Sequence, residues 1–255
     1  MPGLRITSEA RVSVVTVNRP EVLNALNTAL LEELLATLTD LGADETCGVI
    51  VVTGAGDRSF IAGADIKEMD GKTPLEARAY SELGQEIAHM LEVMRKPTIA
   101  AVNGYALGGG LEIALACDIR LASPGGYKLG TPEVTLGLLP GNGGTQRLTR
   151  LLGPSRALDL LLTGRTFSPD EALAWGLVAA LVDEDGARAY AERLAAGPRL
   201  ALAAIKRCVH EGGERSLADG LALEAELVEQ LFRSKDAGEG LTAFVEKRAP
   251  EFVGA

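Results

Sequence analysis

A glycine triplet inside an apolar stretch constrains the fold of this chain more than any other feature. Gly108–Gly110 follows the apolar run Thr98–Val102 and precedes a second one, Leu111–Ala116, which contains a single carboxylate, Glu112. This order predicts a buried strand, a tight turn and the start of a helix. Glycines let a backbone approach a ligand closely, and the first N–H groups of a helix lack intrahelical partners. The segment therefore predicts a turn that stabilises an anion, with an acid–base group beside it.

The residues of this segment leave two other interpretations open. The glycines could serve only as a tight connection, with Glu112 stabilising the helix dipole. The window Pro97–Asp118 also contains the pattern G-x-x-x-G, which is typical of packed membrane helices. Asn103, Glu112 and the triplet interrupt that window, so a buried strand, turn and helix is the better prediction.

Strand-like and helix-like segments alternate along most of the chain, which predicts an α/β fold. Arg11–Val17 alternates like a strand after a polar turn at Ser8–Glu9, so a hairpin is expected. Gly48–Thr53 is a Val/Ile run typical of a strand buried on both faces. Asn27 is predicted to cap a leucine-striped helix, and Thr73–Glu76 is a capping box that opens another.

The second half of the chain changes from mixed to helical character. Three further strands are predicted, at Ile119–Ala122, Tyr127–Leu129 and Leu177–Val182. After Ala187 the pattern is helical, with expected breaks at Gly197–Pro198, at Gly212–Gly213 and near Gly238. We therefore predict a core over residues 1–195 and a helical region over 196–255, whose apolar faces are covered either by the core or by another chain.

Composition and charge exclude several classes of function. The 255 residues carry a net charge of −10, so neither nucleic acid nor an anionic membrane is an expected partner. The three cysteines are far apart, at Cys47, Cys117 and Cys208. That spacing argues against a disulfide framework, and Met1–Arg11 does not resemble a secretory signal, so a cytoplasmic protein is expected. With two histidines and no H-E-x-x-H motif, no metal site is expected.

Two glycine motifs elsewhere do not complete a nucleotide site. Gly54–Ser59 follows a strand as a dinucleotide fingerprint would, but Ser59 replaces the third glycine and no helical pattern follows. Gly141–Gln146 lacks the G-K-[ST] ending of a phosphate-binding loop. Both nucleotide sites are therefore excluded.

A second small-residue turn and a second carboxylate complete a constellation. Ala62–Lys67 forms the turn, in which Asp65 is expected to cap a short helix, and Glu133 lies before a glycine-rich loop. Each is ordinary by itself. Combined with the glycine triplet and Glu112, they describe a site that can hold an oxyanion while moving a proton.

Six segments also carry a resemblance to a known family: Asn18–Leu26, Phe60–Met69, Gly104–Glu112, Pro132–Glu133, Leu139–Leu148 and Ala243–Arg248. In this order, and over nearly the whole chain, they resemble the crotonase (enoyl-CoA hydratase/isomerase) superfamily. The resemblance implies a right-handed spiral of ββα units, followed by a helical region used for trimerisation. Homotrimers or hexamers made of two trimers are the implied assemblies.

The resemblance also implies a reaction and the residues that perform it. The thioester carbonyl of an acyl-CoA would lie between the backbone N–H groups of Ala64 and Gly109. Glu112 and Glu133 match the two glutamates of the hydratases, in which Glu112 would deprotonate the water and Glu133 would protonate C2. This implies a 2-enoyl-CoA hydratase, a hydro-lyase of fatty acid β-oxidation, with a Δ3-Δ2-enoyl-CoA isomerase or another acyl-CoA enzyme of the family as the alternative.

The implied substrate and coenzyme A contacts are Val22, Leu23, Asn24, Ala62, Gly63, Asp65, Ile66, Lys67, Gly141, Phe244 and Lys247. Lys67 and Lys247 would supply positive charge to the phosphates, and no cofactor is expected because acyl-CoA is the substrate. Two positions depart from the family pattern: Glu21 is often lysine, and Thr131 is often glutamine in short-chain hydratases. One branch of the superfamily binds RNA through a lysine-rich helix, but the corresponding helix here, 76–96, is rich in glutamate.

Overall fold

The computed structural model describes residues 3–255 and has a mixed α/β architecture. The strands are β1 (Leu4–Glu9), β2 (Val12–Val17), β3 (Val49–Gly54), β4 (Ser59–Ile61), β5 (Thr98–Val102), β6 (Tyr105–Leu107), β7 (Ile119–Ala122), β8 (Leu129–Gly130) and β9 (Ala180–Leu181). The helices are α1 (Thr28–Ala43), α2 (Ile66–Met69), α3 (Pro74–Val93), α4 (Gly109–Ala116), α5 (Gly144–Leu152), α6 (Pro154–Thr163), α7 (Pro169–Ala174), α8 (Glu184–Ala195), α9 (Arg199–Gly213), α10 (Leu217–Leu231) and α11 (Lys235–Glu246). Short 3₁₀ helices cover Pro20–Val22 and Pro132–Leu136.

The strands form two sheets, and from β3 onward consecutive strands alternate between them. The larger sheet has the order β1-β2-β3-β5-β7-β9, and the smaller one has the order β4-β6-β8. Apart from the antiparallel pair β1 and β2, neighbouring strands are parallel. Each of the pairs β3/β4, β5/β6 and β7/β8 adds one strand to each sheet before the chain returns. This repeat is the expected spiral of ββα units, and it stacks the loops that follow β4 and β6.

The hairpin forms as expected, but its turn is two residues later than the sequence suggested. Ala10 and Arg11 occupy the turn with φ angles of 47° and 64°. Glu9 still pairs with Val12, so the predicted turn residues Ser8–Glu9 belong to β1. A two-residue turn with positive φ at both positions matches the twist of the flanking strands, which a turn at Ser8–Glu9 would not do.

The core lies on both faces of the larger sheet. One face packs against the leucines of α1 and the inner side of α3, while α8 covers the other through Ala187 and Ala191. β3 is consequently buried on both faces, as its Val/Ile run predicts. The expected caps are present: Asn27 accepts a hydrogen bond from the N–H of Leu30, and Thr73 forms a complete capping box.

Two predicted strands are shorter or shifted. The strand expected at Tyr127–Leu129 is β8, which begins two residues later because only Leu129 and Gly130 pair with β6, while the Tyr127 hydroxyl shares its proton between the carbonyls of Val102 and Ser123. The strand expected at Leu177–Val182 is limited to β9. Its first residues form a turn after α7, in which the N–H of Leu177 donates to the carbonyl of Ala172.

The C-terminal region is helical, as expected, but the helix boundary predicted near Gly238 is wrong. α11 continues through Gly238, and the break lies before it, where Ser234 caps the helix by accepting from the N–H of Ala237. α9 is tied to the core by Lys206, whose ammonium lies 2.8 Å from the carboxylate of Asp118. Within residues 3–255, no helix is both long enough and apolar enough to span a membrane.

Candidate active site

A cavity of about 420 Å³ opens between α3, the N-terminus of α4 and the loop that precedes α5. Most of its lining is apolar, with side chains such as Met69, Leu107 and Leu139. The polar groups that reach it come from the glycine turn, from two glutamates and from Asn142. An apolar cleft with a few convergent polar groups is typical of a small-molecule site.

Gly108 and Gly110 have to be glycine for local reasons. Gly108 precedes α4 with φ 49° and ψ −125°, a backbone conformation that side-chain-bearing residues avoid. A Cβ on Gly108 would lie 2.5 Å from Oε1 of Glu133 and 3.7 Å from the Cα of Gly63. A Cβ on Gly110 would overlap the carbonyl oxygen of Ile61 at the end of β4. Gly108 and Gly110 therefore bring the turn after β6 against the turn after β4.

Two backbone N–H groups at this contact have no acceptor within residues 3–255. Leu26 and Ala64 form a parallel β-bridge. Its two hydrogen bonds use the neighbours of Ala64: the N–H of Leu26 donates to the carbonyl of Gly63, and the N–H of Asp65 donates to the carbonyl of Leu26. The N–H of Ala64 itself therefore points away from Leu26. Gly109 is the first residue of α4, so its N–H has no intrahelical partner. Both residues line the cavity, which makes their N–H groups available to a ligand.

Glu112 is held by one oxygen and presents the other. Glu112 is 2% exposed. Its Oε1 accepts two hydrogen bonds, from the N–H of Asn142 at 2.8 Å and from the N–H of Gly144 at 2.7 Å. These donors lie at the N-terminus of α5, where unpaired N–H groups favour a carboxylate. Oε2 has no hydrogen-bond partner in the described chain. Burial, together with the nearby charge of Glu133, raises the pKa of Glu112 to about 7, although the two N–H donors act in the opposite direction.

Glu133 reaches the cavity from the 3₁₀ helix Pro132–Leu136. Its Oε2 is buried and lacks a hydrogen-bond partner among the described residues, and its Oε1 lies beside Gly108. Burial raises the pKa of Glu133 above its ordinary value. The two glutamates thus converge on the Gly108–Gly109 turn, and the raised pKa of Glu112 lets this residue exchange a proton near neutral pH.

Replacing Glu133 with glutamine is expected to lower the pKa of Glu112. The negative charge of Glu133 is one cause of the raised pKa, whereas burial, the larger cause, is unchanged by this substitution. The pKa should therefore fall but stay above its ordinary value of 4.5. A carboxyl ¹³C NMR titration of protein labelled at glutamate measures it, with the exposed Glu86→Gln as control. An unchanged or higher value in Glu133→Gln would contradict the proximity of the two carboxylates.

The loop that holds Glu112 is itself fixed by α3 and α5. Ser81 and Gln85 both donate to the carbonyl of Gly141, at 2.6 Å and 2.8 Å. Arg147 forms a two-bond ion pair with Glu92 and donates to the carbonyl of Asn142 at 3.1 Å. Ser81, Gln85, Glu92 and Arg147 were not predicted from the sequence to have a role in the site, whereas Gly141 was implied as a substrate contact. The only sequence signal was the glycine-rich stretch before α5, which suggested a turn without showing which group it holds.

Eight of the residues expected at the site line the cavity: Ala62, Gly63, Ala64, Ile66, Gly109, Glu112, Glu133 and Gly141. The other seven lie outside its lining: Val22, Leu23, Asn24, Asp65, Lys67, Phe244 and Lys247. Asn24 is fully buried, and its amide donates to the carbonyls of Ala55 and Ser59, which makes the side chain structural. Phe244 is exposed on α11, and Lys247 ends that helix. The coenzyme A contacts of these residues stay predictions.

The expected side-chain cap by Asp65 is wrong. Asp65 precedes α2, but its carboxylate makes no capping hydrogen bond. It instead accepts from Arg19 at 3.1 Å, because a charged partner competes successfully with a backbone N–H. That ion pair joins the 3₁₀ segment at 20–22 to the turn that carries Ala64. In the part of the chain that the structure describes, no group of three or more His, Cys, Asp or Glu side chains could hold a metal ion.

Comparison with known proteins identifies the family. The family model described as enoyl-CoA hydratase/isomerase matches residues 7–255. The chain belongs to the enoyl-CoA hydratase/isomerase family. The prediction of the crotonase superfamily and its fold is therefore confirmed, as is the prediction of an enoyl-CoA hydratase, a hydro-lyase.

Its relatives are similar over their full lengths. A short-chain-enoyl-CoA hydratase from Clostridium acetobutylicum is 41% identical, over 96% of this chain and 95% of the relative. A 2,3-dehydroadipyl-CoA hydratase from Escherichia coli is 40% identical, over 100% of both chains. A crystal structure of enoyl-CoA hydratase from Bacillus anthracis superposes with a TM-score of 0.95, at 39% identity and complete coverage of both chains.

Proposed function

We propose that this chain adds water across the 2,3 double bond of a 2-enoyl-CoA thioester to give 3-hydroxyacyl-CoA. The observation that carries the proposal is the meeting of the buried Glu112, the half-buried Glu133 and two unpaired backbone N–H groups at one apolar cavity. Each glutamate can exchange a proton, and the N–H pair can bind an oxygen that becomes negative. Hydration of an enoyl thioester needs both functions at once.

The N–H groups of Ala64 and Gly109 are the proposed oxyanion hole. When an oxygen nucleophile adds to C3, the electrons of the double bond move toward the thioester carbonyl and form an enolate. Donors that are already oriented toward that oxygen stabilise its charge without reorganising, and one such donor is typically worth about 2.7–4 kcal/mol of the barrier. The dipole of α4, whose N-terminus is Gly109, adds to this stabilisation.

The two glutamates divide the proton transfers. Glu112 is fixed through Oε1, so its free Oε2 takes a proton from the attacking water as the new bond to C3 forms. Glu133 then supplies a proton to C2, and the enolate returns to a thioester. The raised pKa values of both groups suit this exchange, because a glutamate with an ordinary pKa would hold a proton too weakly at neutral pH.

The acyl group, assembly and location are further parts of the proposal. The two hydratases named above differ in the acyl group that their names specify, so a role in fatty acid β-oxidation rests on the reaction type. A homotrimer, or a hexamer of two trimers, would use residues 196–255 and cover exposed apolar side chains such as Phe232 and Phe244.

Lys67 and Lys247 are the proposed contacts to the coenzyme A phosphates. A cytoplasmic location is supported by the free thiols of the three cysteines.

The loss of enoyl-thioester absorbance tests the reaction directly. Purified protein is incubated with a panel of 2-enoyl-CoA substrates from four to ten carbons, and the product is identified as 3-hydroxyacyl-CoA by mass spectrometry. Turnover is expected for at least one chain length. If no substrate of the panel is hydrated, or if the double bond only migrates, the hydratase proposal is wrong.

A further inference from the structure

The side chain of Asn142 is a buried amide without a partner. The residue is 5% exposed and lines the cavity, yet neither Oδ1 nor Nδ2 makes a hydrogen bond within residues 3–255. Its main chain is fully engaged, since its N–H donates to Glu112 and its carbonyl accepts from Arg147. The protein does not fully enclose the amide atoms, which are reached from the cavity, so the amide is available to bind a polar group of a ligand there.

The position of the amide indicates what it binds. A Cβ on Gly109 would lie 3.1 Å from Nδ2 of Asn142 and 4.0 Å from Oε2 of Glu112. The amide and the free oxygen of Glu112 therefore flank the same point at the start of α4. One small polar molecule or hydroxyl that lies in the cavity between the two groups would be within reach of both side chains.

The surrounding residues leave the amide room for only small shifts from this position. On its other side the amide packs against Gly84 of α3. A Cβ added to Gly84 would lie 2.7 Å from Nδ2 of Asn142 and closer still to Cγ and Oδ1 of the same amide. The leucine side chain of Leu26 borders the same space, at 3.1 Å from the Cβ position of Gly109. Close packing on both sides fixes the direction of the amide, as expected of a group that orients a ligand.

We propose that the carboxamide of Asn142 binds the oxygen that is added to C3, which is the attacking water in hydration and the 3-hydroxyl group in the product. This inference rests on the proposed hydratase function. Nδ2–H donates to the oxygen while Oε2 of Glu112 accepts its proton, so a lone pair is directed at C3 as the C3–O bond forms. In the reverse reaction the C3–O bond breaks, Glu112 returns the proton, and the amide stabilises the charge on the departing oxygen.

Two ligands that differ only in that oxygen test the contact. Butyryl-CoA lacks the 3-hydroxyl group that 3-hydroxybutyryl-CoA carries, and a Glu133→Gln background slows conversion of the second ligand. Calorimetry compares their affinities in Glu133→Gln and in Glu133→Gln with Asn142→Leu, a substitution of similar volume. We expect 3-hydroxybutyryl-CoA to bind roughly 10-fold more weakly in the double variant, as one lost hydrogen bond implies, and butyryl-CoA to change less than twofold.

A control separates this role from a change in cavity shape. Met69→Ala, in the same background, alters an apolar side chain of the lining and is expected to change both affinities by the same factor. Equal changes for both ligands with Asn142→Leu, or no change for either, would overturn the inference. If thermal melting shows that Asn142→Leu does not fold, Asn142→Ala takes its place with the same expectations.

The hydratase proposal and the Asn142 contact fail separately in this design. Only the contact would be refuted if the wild-type protein hydrates crotonyl-CoA but Asn142→Leu leaves the ratio of the affinities for 3-hydroxybutyryl-CoA and butyryl-CoA unchanged. A changed ratio in a protein that does not hydrate any enoyl-CoA would refute only the hydratase. In the otherwise wild-type protein, Asn142→Leu should lower kcat roughly 10- to 100-fold with little change in KM, since the contact is made to a reacting atom.

Discussion

Glu112→Gln is expected to lower kcat for enoyl-CoA hydration by about 10³-fold while the affinity for butyryl-CoA stays within twofold. A general base typically contributes between about 10² and 10⁴ in rate. Glutamine keeps the carbonyl oxygen that the N–H groups of Asn142 and Gly144 require, and those donors direct its NH₂ group toward the cavity. The shape of the site is therefore retained, while the atom that would accept the proton of water is replaced by a donor. Steady-state kinetics and calorimetry measure the two quantities.

The controls for this prediction are chosen to separate chemistry from folding. Glu86→Gln changes an exposed glutamate of α3 and should leave kcat unchanged. Thermal melting should give Glu112→Gln a stability equal to or above that of the wild type, because burial penalises the charge of Glu112 and the substitution removes that charge. A loss of kcat below tenfold, in a folded variant, would mean that Glu112 is not the base.

The sequence predicts those parts of the site that depend on neighbouring residues. The order of strand, glycine turn and helix predicts a helix start with free N–H groups at the triplet and places Glu112 one turn further along, whereas Gly109 in particular is implied only by the family resemblance. Local spacing determines both features, because helix geometry relates residues three and four apart. The capping residues Asn27 and Thr73 are predicted correctly for the same reason.

The parts that depend on distant residues could not be obtained in this way. Glu112 is bound by N–H groups that are 30 and 32 residues away, and Asp65 pairs with Arg19 across 46 residues. The spiral creates these contacts by placing β4 beside β6, with Ile61 opposite Ala106. The sequence motifs name the turns but do not specify their relative positions. The amide of Asn142 is the clearest case, because its environment is built from α3, α4 and the loop before α5.

Gly110→Ala is expected to destabilise the protein by about 3 kcal/mol and to abolish measurable hydration. The added Cβ would overlap the carbonyl oxygen of Ile61 and lie 2.8 Å from its carbonyl carbon. Both atoms belong to the backbone of β4, so α4 and β4 have to move apart, and overpacking of this kind is among the costliest of single substitutions. That movement also separates the N–H of Gly109 from the N–H of Ala64, because Gly109 begins α4 and Ala64 lies in the turn after β4. Urea unfolding and a crotonyl-CoA assay measure the two effects.

Gly109→Ala provides the matched comparison one residue earlier. Its Cβ would meet only side chains, those of Asn142 and Leu26, both at 3.1 Å, and these can shift by a few tenths of an ångström. Since alanine also favours a helix over glycine by up to about 1 kcal/mol, the unfolding free energy of Gly109→Ala should stay within roughly 1 kcal/mol of the wild type. Equal losses of stability in the two variants would show that the tight contact between α4 and β4 does not hold the two N–H donors together. A large loss in Gly110→Ala alone would assign that function to the backbone contact with Ile61.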